Sequence, residues 1–581
     1  MFFRNISNYF DEEERRLVVQ SFVIGVAVWA VVFGLKTAVH WLFETTLHFL
    51  EDGPSPLLAI PILLVGALIV AAITRTRSSV IHYQDDDGHI HDLLDVEGDG
   101  LERAISLYYS SEPSLEQTLR GQEGLDARWQ MPTFSLAIRK WLATLATLGS
   151  GGSGGLEASV TLIGESVSAG LFKPRRTINR TTDQLSLFER ARRWWEADNP
   201  DDLQTAQLSG IAAAVSTLLG APFTAAFFAT EVMYRQRPLI EKLVYSLISA
   251  LTAYFLTNIF SNGHTAIFEV ETLFVPPSDV RYFGVLVLLG AIISIMSVVF
   301  ARLRSWLDDV LHHRQPNIWR RHLIGAAATA VIAIGVAYGT SFFGITDHGL
   351  ELVLGPGESV IHMALNGELT LTIAIIALVA KMLATLTTIS SGGSAGLLVP
   401  SLFFGSMVAA GMAVLFDYQG MMLVIPAMTA SLVSIVNVPL AAILFTVEIF
   451  GARYMLPALI VLVVTNILAH NNTIYRTQRE TISKRQILPG VSVRRVKIPA
   501  KWAGKTLISL DFRNRFGLNV IGLLELHAAD GLPHVRMQQA STTVLEEGDI
   551  LVVIGSDEKL EELETAVRAK EVEIVDPEAS D

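Results

Sequence analysis

The chain has 581 residues, of which 51% are hydrophobic and 17% charged, with a mean hydropathy of +0.43 and a formal net charge of −13. So few charges on so apolar a chain argue against a soluble globular protein, and an acidic balance without a basic face argues against a nucleic-acid partner. Cysteine is absent, which excludes disulfides, thiolate metal sites and cysteine nucleophiles.

Residues 1–16 are charged and amphipathic, and read as a cytoplasmic lead-in rather than a signal peptide. Apolar runs close to the roughly 20 residues needed to cross a bilayer core follow at Leu17–Val32, Leu57–Ile73, Tyr282–Phe300, Leu323–Ala337, Leu371–Thr388 and Tyr454–Ala469. They predict a polytopic membrane domain over residues 17–485. Basic residues gather in short loops at Arg75/Arg77, Lys173–Arg176, Arg235/Arg237, Arg314–Arg321 and Arg476–Arg485. The positive-inside rule puts these loops, and both termini, in the cytoplasm of a cell (inner or plasma) membrane protein. The histidines of His82–His91 have no diagnostic ligand spacing, so this stretch reads as a solvated loop and no metal is expected.

The chain repeats itself. Lys140-WLATLATLGSGGSGGLEAS-Ser159 aligns without a gap on Lys381-MLATLTTISSGGSAGLLVP-Pro400, with Ser-Gly-Gly-Ser cores at Ser150–Ser153 and Ser391–Ser394. A second pair follows: Pro222-FTAAFFATEV-Val232 resembles Pro439-LAAILFTVEI-Ile449, with Glu231 and Glu448 equally spaced from their prolines. Such duplication belongs to transport proteins, which place the substrate at the repeat interface near the midplane. Each Gly/Ser cluster interrupts an apolar pattern and opens a new helix, and irregular backbone at membrane depth is tolerated only inside protein or along a cavity. The predicted element is a broken helix whose N-terminus, with free N–H groups and partial positive charge, favours an anion. Small-residue helix packing would explain either cluster taken alone; the duplication favours an anion site.

After Arg485 charged and turn-forming residues return. Short strand-like runs at Val491–Ile498, Leu518–Leu526 and Ile550–Ile554 precede a helical tail at Glu558–Arg568, with turn signals at Asp530-Gly531 and Gly548-Asp549. Residues 486–575 therefore read as a small α/β cytoplasmic domain, and 576–581 as an acidic tail.

Over roughly Ser21–Arg485 the motifs and their order resemble the CLC chloride channel and transporter family. Gly98-Asp99-Gly100-Leu101-Glu102 stands where the family has Gly-Ser-Gly-Ile-Pro, so Asp99 and Gly100 would lie at the central anion. A carboxylate there is repulsive unless it is protonated or turned away. Gly155-Leu156-Glu157-Ala158-Ser159 stands for Gly-Arg-Glu-Gly-Pro; the resemblance makes Glu157 the gate, whose carboxylate occupies an anion site and leaves on protonation. Gly396-Leu397-Leu398-Val399-Pro400 stands for Gly-x-Phe-x-Pro, and Tyr475 for the tyrosine whose hydroxyl donates to the central anion. The implied anion ligands are thus Asp99, Gly100, Gly155, Leu156, Gly396, Leu397, Leu398 and Tyr475.

The internal proton-passing glutamate of the family's antiporters corresponds to Val232. An apolar residue there points to a passive anion channel, voltage- or ligand-modulated, with a chloride/proton antiporter on the same scaffold as the alternative. The fold implied is an all-α domain of two inverted repeats with broken helices, assembled as a homodimer in the lipid bilayer, with chloride or another small anion as substrate and no catalytic constellation of an enzyme.

The C-terminal part resembles a TrkA-C (RCK-C) domain at Gly504-Lys505-Thr506-Leu507, Gly517–Ile521 and Leu545–Asp549. The resemblance implies pairing and a candidate nucleotide ligand such as cyclic di-AMP, with no other cofactor. Gly504-Lys505-Thr506 is not a P-loop, because Pro499 stands where its first glycine is required. A potassium channel or transporter would need a Thr-Val-Gly-Tyr-Gly filter, which the chain lacks.

Overall fold

The computed structural model describes residues 12–53, 55–76, 80–84, 90–94, 96–110, 132–173, 194–196, 200–233, 240–261, 267–268, 274–314, 317–346, 348–469, 474–475, 486–488, 491–525, 534–536, 543–556, 559–560, 562–563 and 567. The chain forms two compact units, Met1–Lys173 with Pro200–Arg479, and Pro174–Asn199 with Glu480–Asp581.

The first unit is mostly helical. Its helices are α1 (Glu12–Glu51), α2 (Ala59–Arg75), α3 (Leu101–Ser110), α4 (Phe134–Gly149), α5 (Glu157–Phe172), α6 (Pro200–Leu219), α7 (Pro222–Glu231), α8 (Ile240–Phe260), α9 (Val280–Arg314), α10 (Ile318–Phe342), α11 (Glu358–Asn366), α12 (Leu371–Ser390), α13 (Leu398–Phe416), α14 (Gly420–Ser431), α15 (Pro439–Phe450) and α16 (Met455–Leu468). By length and composition α1, α2, α8, α9, α10, α12 and α13 can cross a membrane. Large apolar side chains such as Phe22, Val65, Phe255 and Ile295 stay exposed on these helices, which suits contact with lipid.

Two expectations change. The run at Tyr454–Ala469 is the 14-residue α16. At 1.5 Å per residue it reaches about 21 Å, short of a core of about 30 Å. The first helix begins at Glu12, within the stretch read as a lead-in, and Arg16 is buried against Asp202 of α6. The ends of the stretch read as a loop at His82–His91 lie in two antiparallel strands, β1 (Val80–Gln84) and β2 (Ile90–Leu94), while residues 85–89 and the histidine side chains lie outside the described residues.

Small residues set the packing inside. A Cβ on Gly164 of α5 would stand 2.4 Å from the Gly210 carbonyl of α6, and one on Gly210 would stand 2.3 Å from the Gly164 carbonyl. The two backbones can approach this closely only without side chains. Gly164→Val should therefore force the helices apart, costing about 1–3 kcal/mol; a lowered midpoint in a heating series of the detergent-solubilised protein would read this out.

The second unit carries a five-stranded antiparallel sheet in the order β3 (Gln486–Leu488), β4 (Val491–Lys497), β7 (Ile550–Ser556), β5 (Asn519–Glu525) and β6 (His534–Arg536). The three strands foreseen in the sequence are its centre. Trp502, Phe512, Phe516, Leu518, Leu551 and Val553 are among the residues of its core. Gly504, at φ +77°, ends a short 3-10 turn and donates to the Leu545 carbonyl at 2.9 Å. Gly548, at φ +92°, makes the foreseen turn into β7. The helical tail is described only in part, and residues 568–581 lie outside the described residues.

Candidate functional site

The duplication in the sequence is a duplication of contacts. Ser153 in the first Gly/Ser cluster bonds Thr385 at 3.0 Å and takes Thr388 as acceptor for its N–H at 3.2 Å. The aligned Ser394 bonds Thr144 at 2.9 Å and takes Thr147 at 3.0 Å. Each cluster is thus held by the helix that leads into the other. The two chains then cross at Gly155 and Gly396, which exchange N–H···O bonds at 2.8 and 2.5 Å. A Cβ on Gly396 would stand 2.9 Å from the Ala158 amide nitrogen, so this crossing requires glycine.

The crossing brings the N-termini of α5 and α13 together in the interior. Because the Gly155 and Gly396 amides are spent on each other, donors for an anion must come from the next residues. Leu156 and Leu397 cap the two helices through their backbone, and neither cap has a side-chain hydrogen bond. Leu398, aligned with Glu157, brings only an apolar side chain to the junction. Glu157 begins α5, is 2% exposed, and points its carboxylate across to α13, where Oε2 accepts the Val399 N–H at 3.4 Å. A carboxyl group of the protein therefore rests on the N-terminus of the opposite repeat's helix, in the position that favours an anion.

A second carboxylate lies at the N-terminus of α3. Asp99 is 3% exposed and accepts the Leu101 N–H on Oδ1 at 3.1 Å. Gly100 packs on α5, with a Cβ position 3.1 Å from the Ala158 carbonyl. Tyr475 is fully buried and interacts with Asp99. Its segment is anchored by Arg304 of α9, which donates to the Ile474 carbonyl at 2.8 Å, and by Ile435 in the π-helical turn Leu432–Val436, which accepts the Ile474 N–H at 3.2 Å.

Several supporting residues carry no local signal in the sequence. Lys140 is fully buried and donates to the carbonyls of Val96 and Gly98, at 3.1 and 2.8 Å, holding the Asp99 loop. The aligned Lys381, also buried, donates to Val353, Leu354 and Gly355 at 3.2, 3.1 and 2.6 Å. These lysines head the two duplicated stretches, and that alignment was the clue available. Glu97, beside Asp99, pairs with Arg321 and with His322 at 3.1 Å, while Arg321 also reaches the Ser391 carbonyl at 3.2 Å. Glu165, deep in α5, takes Ser166 at 2.8 Å and Gln207 at 2.7 Å.

Glu231 and Glu448 are reciprocal caps. Glu448 accepts the N–H groups of Phe223 and Thr224 at 3.0 and 2.8 Å, at the start of α7; Glu231 accepts those of Leu440 and Ala441 at 3.1 and 2.9 Å, at the start of α15. Each satisfies orphan donors of the other repeat's proline-led helix. Val232 is buried beside Glu231 and has no ionisable group. Glu231→Ala should leave the buried Ala441 N–H and the part-buried Leu440 N–H bare, at about 1–3 kcal/mol for the buried one. Glu231→Gln should recover most of the thermal stability so lost.

A family model described as voltage gated chloride channel matches residues 108–470, and one for the TrkA-C domain matches residues 491–568. The chain is 22% identical over 450 residues, 76% of its length, to 83% of an H(+)/Cl(-) exchange transporter ClcA from Vibrio vulnificus. Among solved structures it resembles a slow cyanobacterial Cl-/H+ antiporter, with a TM-score of 0.59, 20% identity, and 79% and 96% of the two chains covered. It also resembles a CLC-type fluoride/proton antiporter, with a TM-score of 0.56, 20% identity and coverage of 80% and 98%.

Proposed function

We propose that this chain, which belongs to the voltage gated chloride channel (CLC) family, is an antiporter that exchanges chloride for protons across a cell membrane. The observation that carries the reading is the buried Glu157 carboxylate resting at the α13 N-terminus. Ionised, it fills the place of an anion. Protonated, it loses its charge and its hold on the helix terminus, and an anion can replace it. One side chain therefore binds either a proton or, by leaving, makes way for an anion. The passive channel expected from Val232 gives way to this reading, which the exchange transporters among the matched relatives support.

In this mechanism the free first-turn amides of α5 and α13 hold the dehydrated anion without a basic side chain, and the Tyr475 hydroxyl holds it at the inner end. The chain works as a homodimer with both termini in the cytoplasm. Its TrkA-C domains pair and take a nucleotide, of which cyclic di-AMP is the candidate.

Purified protein in chloride-loaded liposomes, with pH and chloride recorded together, tests the exchange. Proton uptake in fixed ratio to chloride efflux is the expected result. Chloride efflux that needs valinomycin and moves no protons would restore the channel.

A further inference from the structure

The resemblance puts a carboxylate at the inner end of an anion pathway, and its surroundings define what it can do there. Asp99 caps α3 through Oδ1. Its other oxygen, Oδ2, is buried and receives no hydrogen bond of ordinary length among the described residues. The Tyr475 hydroxyl lies close enough to interact with the same carboxylate. The charged groups acting on it are Arg304 from α9, Glu102 from α3 and Lys140 from α4. Lys140 is engaged with the Val96 and Gly98 carbonyls, and Arg304 with Ile474, Glu102 at 3.5 Å and Asp308 at 3.7 Å.

An ionised Asp99 and an anion repel each other at this spot. A proton on Oδ2 removes one negative charge from the cluster and turns that oxygen from an acceptor into a donor. Asp99 and Tyr475 would then present an anion with two O–H groups, with the Arg304 guanidinium among the charges acting there. Among the other acids nearby, Glu97 is paired with Arg321 and His322, Glu102 with Arg304, and Glu165 has both oxygens bonded already, by Ser166 and Gln207. Val232 offers no proton site.

We propose that Asp99 is a second proton-binding carboxylate of the pathway, taking up a proton on Oδ2 whenever an anion occupies the space between the α3 N-terminus and the Tyr475 hydroxyl. The proposal deepens the exchanger reading and rests on it for its transport consequence: protons pass between Glu157 and the inner side by way of Asp99. Gly100 gives the two a common support, since it packs against Ala158, the residue after Glu157.

The test is an equilibrium measurement on the full-length protein in detergent, with chloride as the ligand. Titration calorimetry in two buffers of different ionisation enthalpy counts protons taken up per chloride bound. Glu157→Gln serves as the background, so that the outer carboxylate does not contribute. In that background chloride binding is expected to take up close to one proton where Asp99 is ionised, and to weaken about tenfold per pH unit of increase. Adding Asp99→Asn or Asp99→Ser should give binding with no proton uptake and no pH dependence. Chloride binding without proton uptake in the Glu157→Gln protein overturns the proposal, as does uptake that persists in both Asp99 variants. Loss of chloride binding in both variants at unchanged thermal stability also overturns it, making Asp99 part of the pocket wall. The linkage needs no gradient and would hold in a channel too. Zero proton coupling in liposomes therefore rejects exchange alone, whereas absent linkage in detergent rejects Asp99 alone.

Discussion

Glu157→Gln should move chloride without exchanging it for protons, at a rate that no longer carries the pH dependence of Glu157 and keeps only that of Asp99. In the wild type the ionised carboxylate competes with an anion for the α13 N-terminus, so the sign of the pH effect is set. As pH falls the carboxylate is discharged, the competitor is lost and anion entry rises, by up to about tenfold per pH unit while Glu157 remains ionised. A carboxamide has nearly the same shape, can still accept from Val399 N–H, and neither binds a proton nor carries charge. Proton flux in liposomes should fall to that of empty vesicles while chloride efflux with valinomycin persists. Gly155→Ala should act in the same direction by a steric route, because its Cβ would stand 2.3 Å from Glu157 Oε2 and displace the carboxylate. A Glu157→Gln protein that pumps protons at the wild-type ratio would remove this residue from the mechanism.

The centre of this site was legible because the chain wrote it twice. Glycines and serines in register placed the broken helices, and the structure joins them at Gly155 and Gly396. Equal spacing from proline likewise marked Glu231 and Glu448, and reciprocal capping explains why the spacing is equal. What escaped notice depends on partners far apart in sequence. Arg321 and Glu97 are 224 residues apart, and Arg304 reaches the segment of Tyr475 across 170. No local pattern announces such pairs. Two membrane-length helices were also missed as spans. Helix α8 opens with Glu241 and Lys242, and α13 follows directly on the Gly/Ser cluster with Pro400 in its first turn. Their polar or irregular starts blur an apolar run that the packed protein tolerates, since Lys242 turns inward to Gln204 at 2.9 Å and to Asp201 at 2.8 Å.

The aligned lysines separate architecture from chemistry. Both ammonium groups are buried, and both donate to main-chain carbonyls of a glycine-containing turn that precedes a short helix. Gly100, at φ +93°, stands 3.0 Å by its Cβ position from Lys140, and Gly357, at φ +85°, stands 3.2 Å from Lys381. The same device thus fixes α3 in one repeat and α11 in the other. Only the α3 turn carries Asp99; the corresponding turn has Pro356 between its glycines. The repeats share a scaffold and diverge at the residues where charge would meet the anion.

Lys381→Met is accordingly expected to be the most damaging substitution away from the pathway. The thioether fills similar volume but leaves the carbonyls of Val353, Leu354 and Gly355 without this donor in a dry interior. The Gly355 carbonyl keeps the Gly154 N–H as a donor at 3.3 Å, but each buried carbonyl left bare costs about 1–3 kcal/mol, a large part of the margin of about 5–15 kcal/mol that holds a typical protein folded. The variant should yield no monodisperse peak on size exclusion in detergent. Lys140→Met loses two bonds rather than three and should remain folded with a lowered midpoint. Its chloride affinity should fall, because the turn carrying Asp99 is no longer tied down. Equal stability of Lys381→Met and wild type would show that these carbonyls find other donors, and that the lysine is not what fixes the turn.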